Sequence, residues 1–496
     1  MALSVTNTLR GEREEFEVDG DEVLLYVCGL TVSDDAHLGH ARVWVHADVI
    51  HRWLEHRGYE VRHVENFTDV NEKIVARIGE DDLGDDELAV SNHFIARIID
   101  DMRGLNLERA EVYPRVSEHV PEIVDLIERL LDRGYAYEAN GSVYFDVTAF
   151  EEYGALSNQS LDDLEAQGDP AERREKRHPA DFALWKADGV APADVEEHRT
   201  ADAAPPEEAV TGAETWDSPW GEGRPGWHVE CSAMSMAHLD ETIDVHLGGH
   251  DLIFPHHENE IAQSEAATGE RFARYWLHTG LLETEGEKMS SSLGNFFYVT
   301  DALAEFGPNV LRTFYLGADY GTNQAFSEDA LREAEERWER LDRAHERAVE
   351  ACDSVDARTK VADGTLRAAV DEARERFAAA MDDDFGVREA TAALLDLART
   401  VNRHVDGRAE YDYRGLRRAI ETFEELAGDV FGLQFEEPSD GTAGLADDLV
   451  DLVLDLREAE RAAGNYDRAD ALREDLAALG IEVEDGATGP TYRIER

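Results

Sequence analysis

Residues 22–32, EVLLYVCGLTV, form an apolar, β-branched and aromatic run whose regular part ends at Gly29. That pattern predicts a buried strand passing into a turn. In 40–57, Val43, Ala47, Ile50 and Leu54 recur at helical spacing on one face, and Gly58 closes the helix. Residues 59–68, YEVRHVENFT, return as a strand. Strand, helix, strand predicts a βαβ unit and a parallel sheet. Ligands of such sheets gather beyond the carboxyl ends of the strands, where Cys28 and the segment His37–His40 fall.

Further along, 85–135 reads as helical. The stretch 163–218 is rich in Glu, Asp, Ala and Pro, with DFALWK (181–186) as its apolar knot. Its part from Gly189 to Gly212 reads as a solvated excursion. ETIDVHLGG (241–249) predicts a strand, and Pro255 opens a helix through HHENEIAQSEAA. Residues 309–318 and 326–351 are helical. The last third is almost entirely helix, with one stripe at Val387, Thr391, Leu394, Leu397 and Val401. Others follow at Leu445, Leu449, Leu452, Val453 and Leu456, and at Leu472, Leu476 and Leu479. QFEEPSDGTAG (434–444) reads as a linker between bodies.

Composition narrows the class. A chain of 496 residues suggests about three or four domains. Three cysteines, Cys28, Cys231 and Cys352, exclude a disulfide-built scaffold. The opening MALSVTNTLRGEREEF lacks the apolar stretch of a signal peptide, and no apolar run is long enough to span a membrane. A cytoplasmic location is expected. The charge is unusual: 48 Lys+Arg against 110 Asp+Glu give −62, and the only lysines are Lys73, Lys176, Lys186, Lys288 and Lys360. Helical periodicity and 42% hydrophobic residues argue for a folded protein with an acidic coat suited to concentrated salt rather than disorder. There the Debye length falls to about 3 Å and self-repulsion is screened.

Three segments carry candidate chemistry. His37-Leu38-Gly39-His40 lies between the first strand and the first helix, where free N–H groups and a positive dipole favour an anion. Gly39 would let a flat ligand approach the backbone. On pattern alone these are equally two surface histidines capping a helix. Second, Lys288 precedes Met289, Ser290, Ser291 and Ser292. A lysine retained in a chain that has nearly discarded them could meet phosphate as a point charge beside hydroxyl donors. Third, Cys28, Cys231, His256 and Glu260 could hold a metal, since His256 and Glu260 are one helical turn apart. Such a set suits zinc. By pattern His246, His250 and His257 are equally eligible, and lone cysteines are commonly buried apolar residues. Gly221, Gly223 and Gly226 match GxGxxG, but Pro225 sits where a phosphate-binding helix would start, and no GxxxxGK[ST] motif occurs.

Taken together and in order, YVCGLTV, HLGHAR, NFTD, DFALWK, SPWGEGRPGWHVEC, GGHDLIFPHHENEIAQ and KMSSSLGNF resemble the cysteinyl-tRNA synthetase family of class I aminoacyl-tRNA synthetases. The resemblance runs to DRADALREDLAALGIEVEDGATGPTYR at 467–493. It implies an α/β fold: a Rossmann-like parallel-sheet catalytic domain with an insertion, then an all-α helical bundle and a small C-terminal domain. The implied parts are 1–120 and 216–285 for the two catalytic halves and 121–215 for the connective insertion. The KMSKS-like loop and stem-contact region follow at 286–350, a helical tRNA-binding domain at 351–433 and an anticodon-binding domain at 445–496. It implies a ligase joining L-cysteine to tRNA(Cys) through cysteinyl adenylate, with ATP and Mg2+ as co-substrates. His37, Gly39, His40, Lys288, Ser290 and Ser291 would meet ATP phosphates, and Gly248, Gly249 and Asp251 the adenosine. Zn2+ would be held by Cys28, Cys231, His256 and Glu260. Gly29, Thr31, Thr68, Trp227 and His246 would line the cysteine pocket.

A monomer is expected, and no editing domain, because the acidic insertion offers little apolar material for one. Leu30, Leu247 and Ser291 depart from the family's usual Pro, Gly and second loop lysine. The salt cation is expected to offset the missing loop charge in part. Two rivals are a ligase of the same superfamily that joins cysteine to an amino sugar, which should lack the long helical C-terminal region, and a non-catalytic acidic binding protein.

Overall fold

The computed structural model describes residues 2–435 apart from 81–82, 162–163, 165–171, 188, 201, 285–286 and 289–296; beyond 435 it describes scattered positions of a helical stretch and two strands. The chain divides into two units, Met1–Gln434 and Phe435–Arg496.

In the first unit a hairpin of β1 (Ser4–Asn7) and β2 (Glu12–Glu15) precedes β3 (Glu22–Val27). Helix α1 (Leu38–His56) then leads to β4 (Glu60–Glu65), which lies parallel to β3 with His63 opposite Leu25. The βαβ unit stands where the periodicity placed it. Helix α1 is buried on nearly all sides, so its charged residues need partners inside the protein. Asp48 receives Arg52 Nε at 2.9 Å and Arg312 Nη2 at 2.5 Å. Burial alone would raise the Asp48 carboxyl, but these two guanidinium groups hold it below its usual range.

The region 85–135 is two helices, α2 (Glu87–Gly104) and α3 (Val120–Arg133). Gly134, at φ 81°, ends α3 by returning its N–H to the carbonyls of Leu130 and Leu131. An antiparallel sheet follows, built from β5 (Ala136–Ala139), β6 (Ser142–Phe145), β7 (Phe182–Lys186), β8 (Trp216–Ser218) and β9 (Gly221–Pro225). Its order is β5-β6-β7-β9-β8, so the insertion's sheet extends past residue 215. Gly221 and Gly223 lie within β9 itself, which removes the GxGxxG segment from any strand-to-helix phosphate turn.

Residues 189–212 differ from the expected solvated excursion. Short helices at Pro192–His198 and Pro206–Ala209 bury Val195 and Ala209 in the core that also holds Ile74, Val75 and Val90. The apolar residues are too sparse to register as a period, and hydrogen bonds supply the rest. Arg199 donates to the carbonyls of Ala203 and Ala204, Ala204 N–H reaches Ile78 O at 2.9 Å, and Thr200 bonds Glu80.

Helix α4 (Trp227–His238) returns the chain to the parallel sheet. Strand β10 (Ile243–Gly249) is followed by α5 (Glu258–Thr268) and β11 (Ala273–Thr279). The sheet order is β11-β10-β3-β4, and Val245 on β10 faces both Leu25 and Tyr275. The helix expected from Pro255 starts there: Phe254 before it is extended (φ −136°), Pro255–His257 make a wider helical turn, and α5 continues from Glu258.

Beyond it come β12 (Leu282–Thr284), β13 (Glu287–Lys288), helix α6 (Val299–Tyr315) and β14 (Gln324–Phe326), the strands pairing in the order β13-β12-β14. Helices α7 (Glu328–Asp353), α8 (Gly364–Met381), α9 (Val387–Gly407) and α10 (Tyr413–Phe423) pack together, and the stripe Val387, Thr391, Leu394, Leu397 and Val401 is buried as its spacing required. The second unit holds β15 (Ile481–Gly486) antiparallel to β16 (Gly489–Ile494), with Val450, Leu454 and Leu476 buried. Residues 436–444 of the expected linker, and Leu445, Leu449, Leu452 and Leu479 of the expected stripes, lie outside the described residues. Among the described residues no helix is long and apolar enough to cross a membrane.

One buried ion pair ties the insertion's sheet to the catalytic half. Arg224 on β9 makes a two-pronged contact with Glu87 of α2, Nη1 to Oε2 at 2.6 Å and Nη2 to Oε1 at 2.7 Å. Arg224→Met leaves a buried carboxylate without its counter-charge, held only by the backbone N–H groups of Asn71 and Glu214, and is expected to cost about 3 kcal/mol in urea unfolding of the full chain. Because the pair is shielded from solvent, the loss should be nearly equal in about 1 M and about 3 M KCl.

Candidate active site and metal centre

The carboxyl ends of β3, β4 and β10 converge on one buried polar cluster. As β3 ends, Cys28 and Gly29 pass the backbone of Asn66, which follows β4. A Cβ on Gly29 would lie 1.6 Å from Asn66 O, so only glycine permits this approach. Asn66 Oδ1 accepts from Gly29 N at 3.0 Å and Tyr26 OH at 3.1 Å, and its amide donates to Thr68 Oγ1 at 3.2 Å. Thr31 and Thr68 are bridged side by side just beyond the two strands.

Cys231 enters from the second turn of α4, His256 from the turn before α5, and Glu260 from the first turn of α5. The i, i+4 spacing brings His256 Nε2 to 3.1 Å from Glu260 Oε1. Cys28 Sγ lies 3.3 Å from the same oxygen, while Glu260 Oε2 faces His246 Nε2 at 2.9 Å. Two overlapping quartets have ligand atoms within 4.8 Å of one another: Cys28, Cys231, His256 and Glu260, and Cys28, His246, His257 and Glu260; all six residues are buried.

Electrostatics inside the cluster divide the protons. The bond from Cys28 lowers the Cys231 thiol to about 6 despite burial, whereas burial, with Cys231 and Glu260 nearby, pushes Cys28 well up. Burial would raise the Glu260 carboxyl, but His246 and His256 hold it well below its usual range. Burial opposes a charge on His256, yet Glu260 and Cys231 lift it to about 10. Once their protons are displaced, two sulfurs, a carboxylate and an imidazole together are the donor chemistry that suits zinc.

A second layer supports these groups. His256 Nδ1 meets His228 Nδ1 at 3.0 Å, His257 Nδ1 meets His278 Nε2 at 2.8 Å, and the His246 ring stacks on Trp276 with centroids 4.2 Å apart. The Trp227 ring, 40% exposed, stands 4.5 Å from that of His256. Asn66, His228 and His278 escaped the sequence reading. NFTD contains the first and WHVEC the second, but neither segment's pattern marks those side chains.

The HLGH segment starts α1. His37 is its N-cap, with Nδ1 accepting from Gly39 N at 3.0 Å, and His40 Nδ1 accepts from His37 N at 3.3 Å. The two rings stack at 3.7 Å. With each Nδ1 used as an acceptor, each neutral imidazole carries its proton on Nε2. A Cβ at position 39 would lie 2.8 Å from His37 Cε1, so Gly39 makes room for this ring rather than only for a ligand. Gly248 and Gly249 end β10, and Asp251 is exposed on the following turn. The backbone of Lys288 pairs with Glu283 in the β12–β13 hairpin. Ser290 and Ser291 lie outside the described residues.

The family model for the class I (C) tRNA synthetase catalytic domain matches residues 15–336, the DALR domain 376–436, and the cysteinyl-tRNA ligase anticodon-binding domain 445–493. The cysteine–tRNA ligase of Haloarcula marismortui is 66% identical, covering 100% of both chains. The chain belongs to the cysteine–tRNA ligase family. The Halobacterium salinarum ligase is 64% identical over 99% of this chain and 100% of its own, and that of Thermococcus onnurineus 42% over 99% of each. Mycobacterium tuberculosis methionyl-tRNA synthetase, in complex with methionyl-adenylate, shares the fold at a TM-score of 0.58 and 16% identity, over 83% of this chain and 89% of that one.

In this cysteine–tRNA ligase family member the His37 ring serves the helix before any ligand arrives. His37→Ala removes the cap and is expected to cost about 1 kcal/mol, whereas His37→Asn, which still offers an acceptor, should recover most of it. Urea unfolding of the two variants checks this.

Proposed function

We propose that this chain joins L-cysteine to tRNA(Cys) in two steps. The cysteine carboxylate attacks the α-phosphorus of Mg2+-bound ATP, forming cysteinyl adenylate and releasing pyrophosphate. A hydroxyl of the terminal tRNA adenosine then attacks the acyl carbon and releases AMP. The observation that carries this reading is the pair of sulfurs, imidazole and carboxylate gathered at the carboxyl ends of the sheet, beside a helix that starts with HLGH.

Cys28, Cys231, His256 and Glu260 would hold zinc. Their arrangement favours this quartet over the one with His246 and His257. Glu260 turns Oε1 to Cys28 and His256, which stands at 3.1 Å against 3.9 Å for His257, and gives Oε2 to His246. His246 thus orients the carboxylate, as a supporting hydrogen bond does for a ligand. When bound, zinc supplies a soft Lewis acid that accepts sulfur far better than a hydroxyl, which separates cysteine from serine. Gly29, Thr31, Thr68, Trp227 and His246 line the space for the amino acid.

His37 and His40 donate through Nε2 to the phosphates, and the start of α1 adds backbone N–H groups and dipole. Gly248, Gly249 and Asp251 receive the adenosine. Lys288, with Ser290 and Ser291, meets the phosphates as charge shifts to pyrophosphate. Catalysis by such groups is positioning and charge stabilisation.

Exchange of pyrophosphate into ATP in concentrated KCl should require cysteine, with serine slower by at least about 10^4-fold. Exchange without an amino acid, or equal exchange with serine, would refute the reading. Elemental analysis of purified full-length variants separates the quartets: Cys231→Ser should lose about one zinc per chain and His257→Asn should keep it.

A further inference from the structure

The side chain of Arg42 is wholly buried one turn after the start of α1, and no carboxylate is bonded to it among the described residues. Its guanidinium donates to Gly280 O at 2.9 Å, Asp319 O at 3.2 Å and Thr322 O at 2.5 Å, and to the side-chain oxygen of Gln324. Arg312, equally buried, has Asp48 for its charge. A buried cation whose hydrogen bonds go only to neutral acceptors, with the Asp319 carboxylate attracting it without bonding it, is an expensive way to fill a core, where apolar packing of the same volume serves stability better. Its retention points to a task other than stability.

The placement of its acceptors suggests the task. Gly280 lies between β11 and β12, and Gln324 is the residue of β14 that pairs with Leu282 of β12. Strand β12 in turn pairs with β13, where Lys288 faces Glu283. Gly280 and Gln324 therefore sit at the base of the hairpin that carries Lys288, and Asp319 and Thr322 belong to the turn before β14 that reaches Gly280 through Tyr320 O, at 2.7 Å from Gly280 N. The chain that follows Lys288 comes back to the same helix start by backbone contacts: Leu38 N to Phe297 O at 3.0 Å and Val299 N to Ala36 O at 2.8 Å. The outgoing arm is thus fastened at 36–38 and the incoming arm through Arg42, both to the first turns of α1.

We propose that Arg42 is a positioning residue for adenylate formation. It fixes the hairpin bearing Lys288 relative to His37 and His40, so that the two phosphate-binding segments face each other at a set separation. This rests on the reading of Lys288, His37 and His40 as phosphate contacts. Five N–H donors in a rigid fork can hold two strands and a turn at once, which a lysine ammonium cannot do with the same geometry.

The test is cysteine-dependent pyrophosphate exchange by full-length Arg42→Lys and Gln324→Leu, with Arg312→Lys as the control for disturbing a buried arginine. Arg42→Lys is expected to lower kcat about 10²-fold, the scale of a roughly 1 Å misplacement, while KM for cysteine stays within about twofold and zinc content is unchanged. Gln324→Leu should lower kcat about tenfold in the same selective way, and it carries the test if the lysine variant does not fold. Arg312→Lys should lower the unfolding midpoint without that selective loss of kcat. Wild-type kcat in a folded Arg42→Lys or Gln324→Leu enzyme, or the same kcat loss in Arg312→Lys, overturns the proposal. Absence of exchange in the wild-type enzyme would instead overturn the underlying reading, and this inference with it.

Discussion

A single carboxylate organises the centre of this molecule. Glu260 is fully buried, and four side chains present a proton or a positive edge to it: Cys28, His246, His256 and His257. They arrive from β3, β10 and the turn before α5, so the carboxylate is also where the halves of the split sheet meet. A carboxylate in that position is tolerable only because its neighbours hold it ionised. The same neighbours become donors of differing softness once their protons are displaced. Fold and chemistry therefore share one electrostatic constraint, and the strands cannot be repacked without disturbing the ligands.

The rest of the charge is arranged around that centre in an uneven way. The chain carries −62 overall, yet three of its arginines lie inside: Arg42, Arg224 and Arg312 are buried and each fastens separate elements. Arginine suits this work because its planar fork can meet several fixed acceptors at once. Asp48, Glu87 and Glu260 are buried as well, while many other carboxylates are exposed, where concentrated salt screens them. Surface and interior thus obey different rules, and the acidic composition says little about what the buried cations hold together.

The sequence made the first βαβ unit, the strand at 241–249 and the stripe on α9 legible, because each has a period and a clear end. The candidate metal quartet was not legible from spacing. Its members come from a strand end, a helix and a turn far apart in the chain, and only the ordered run of motifs singled them out from His246, His250 and His257. The segment 189–212 misled because Val195, Ala203 and Ala209 are buried without periodicity, held by hydrogen bonds that leave no pattern. Asn66 and Arg42 were hidden for a related reason: their importance lies in which distant backbone atoms they reach, and one-dimensional text does not show it.

The order of strands in the parallel sheet also bears on how the chain is made. β10 lies between β3 and β11, so Leu25 finds its neighbour Val245 only after the whole insertion has been synthesised. On the ribosome, β3 and β4 emerge early, and the edge of β3 must wait with its backbone N–H and C=O groups unpaired. Such delayed closure of distant pairs slows folding and leaves sticky surface exposed. The antiparallel sheet of the insertion, built from strands nearer in sequence, is free to assemble during that wait. A nascent chain of this enzyme therefore spends much of its translation with its future catalytic face open, a period in which surrounding chaperones have more to do than after release.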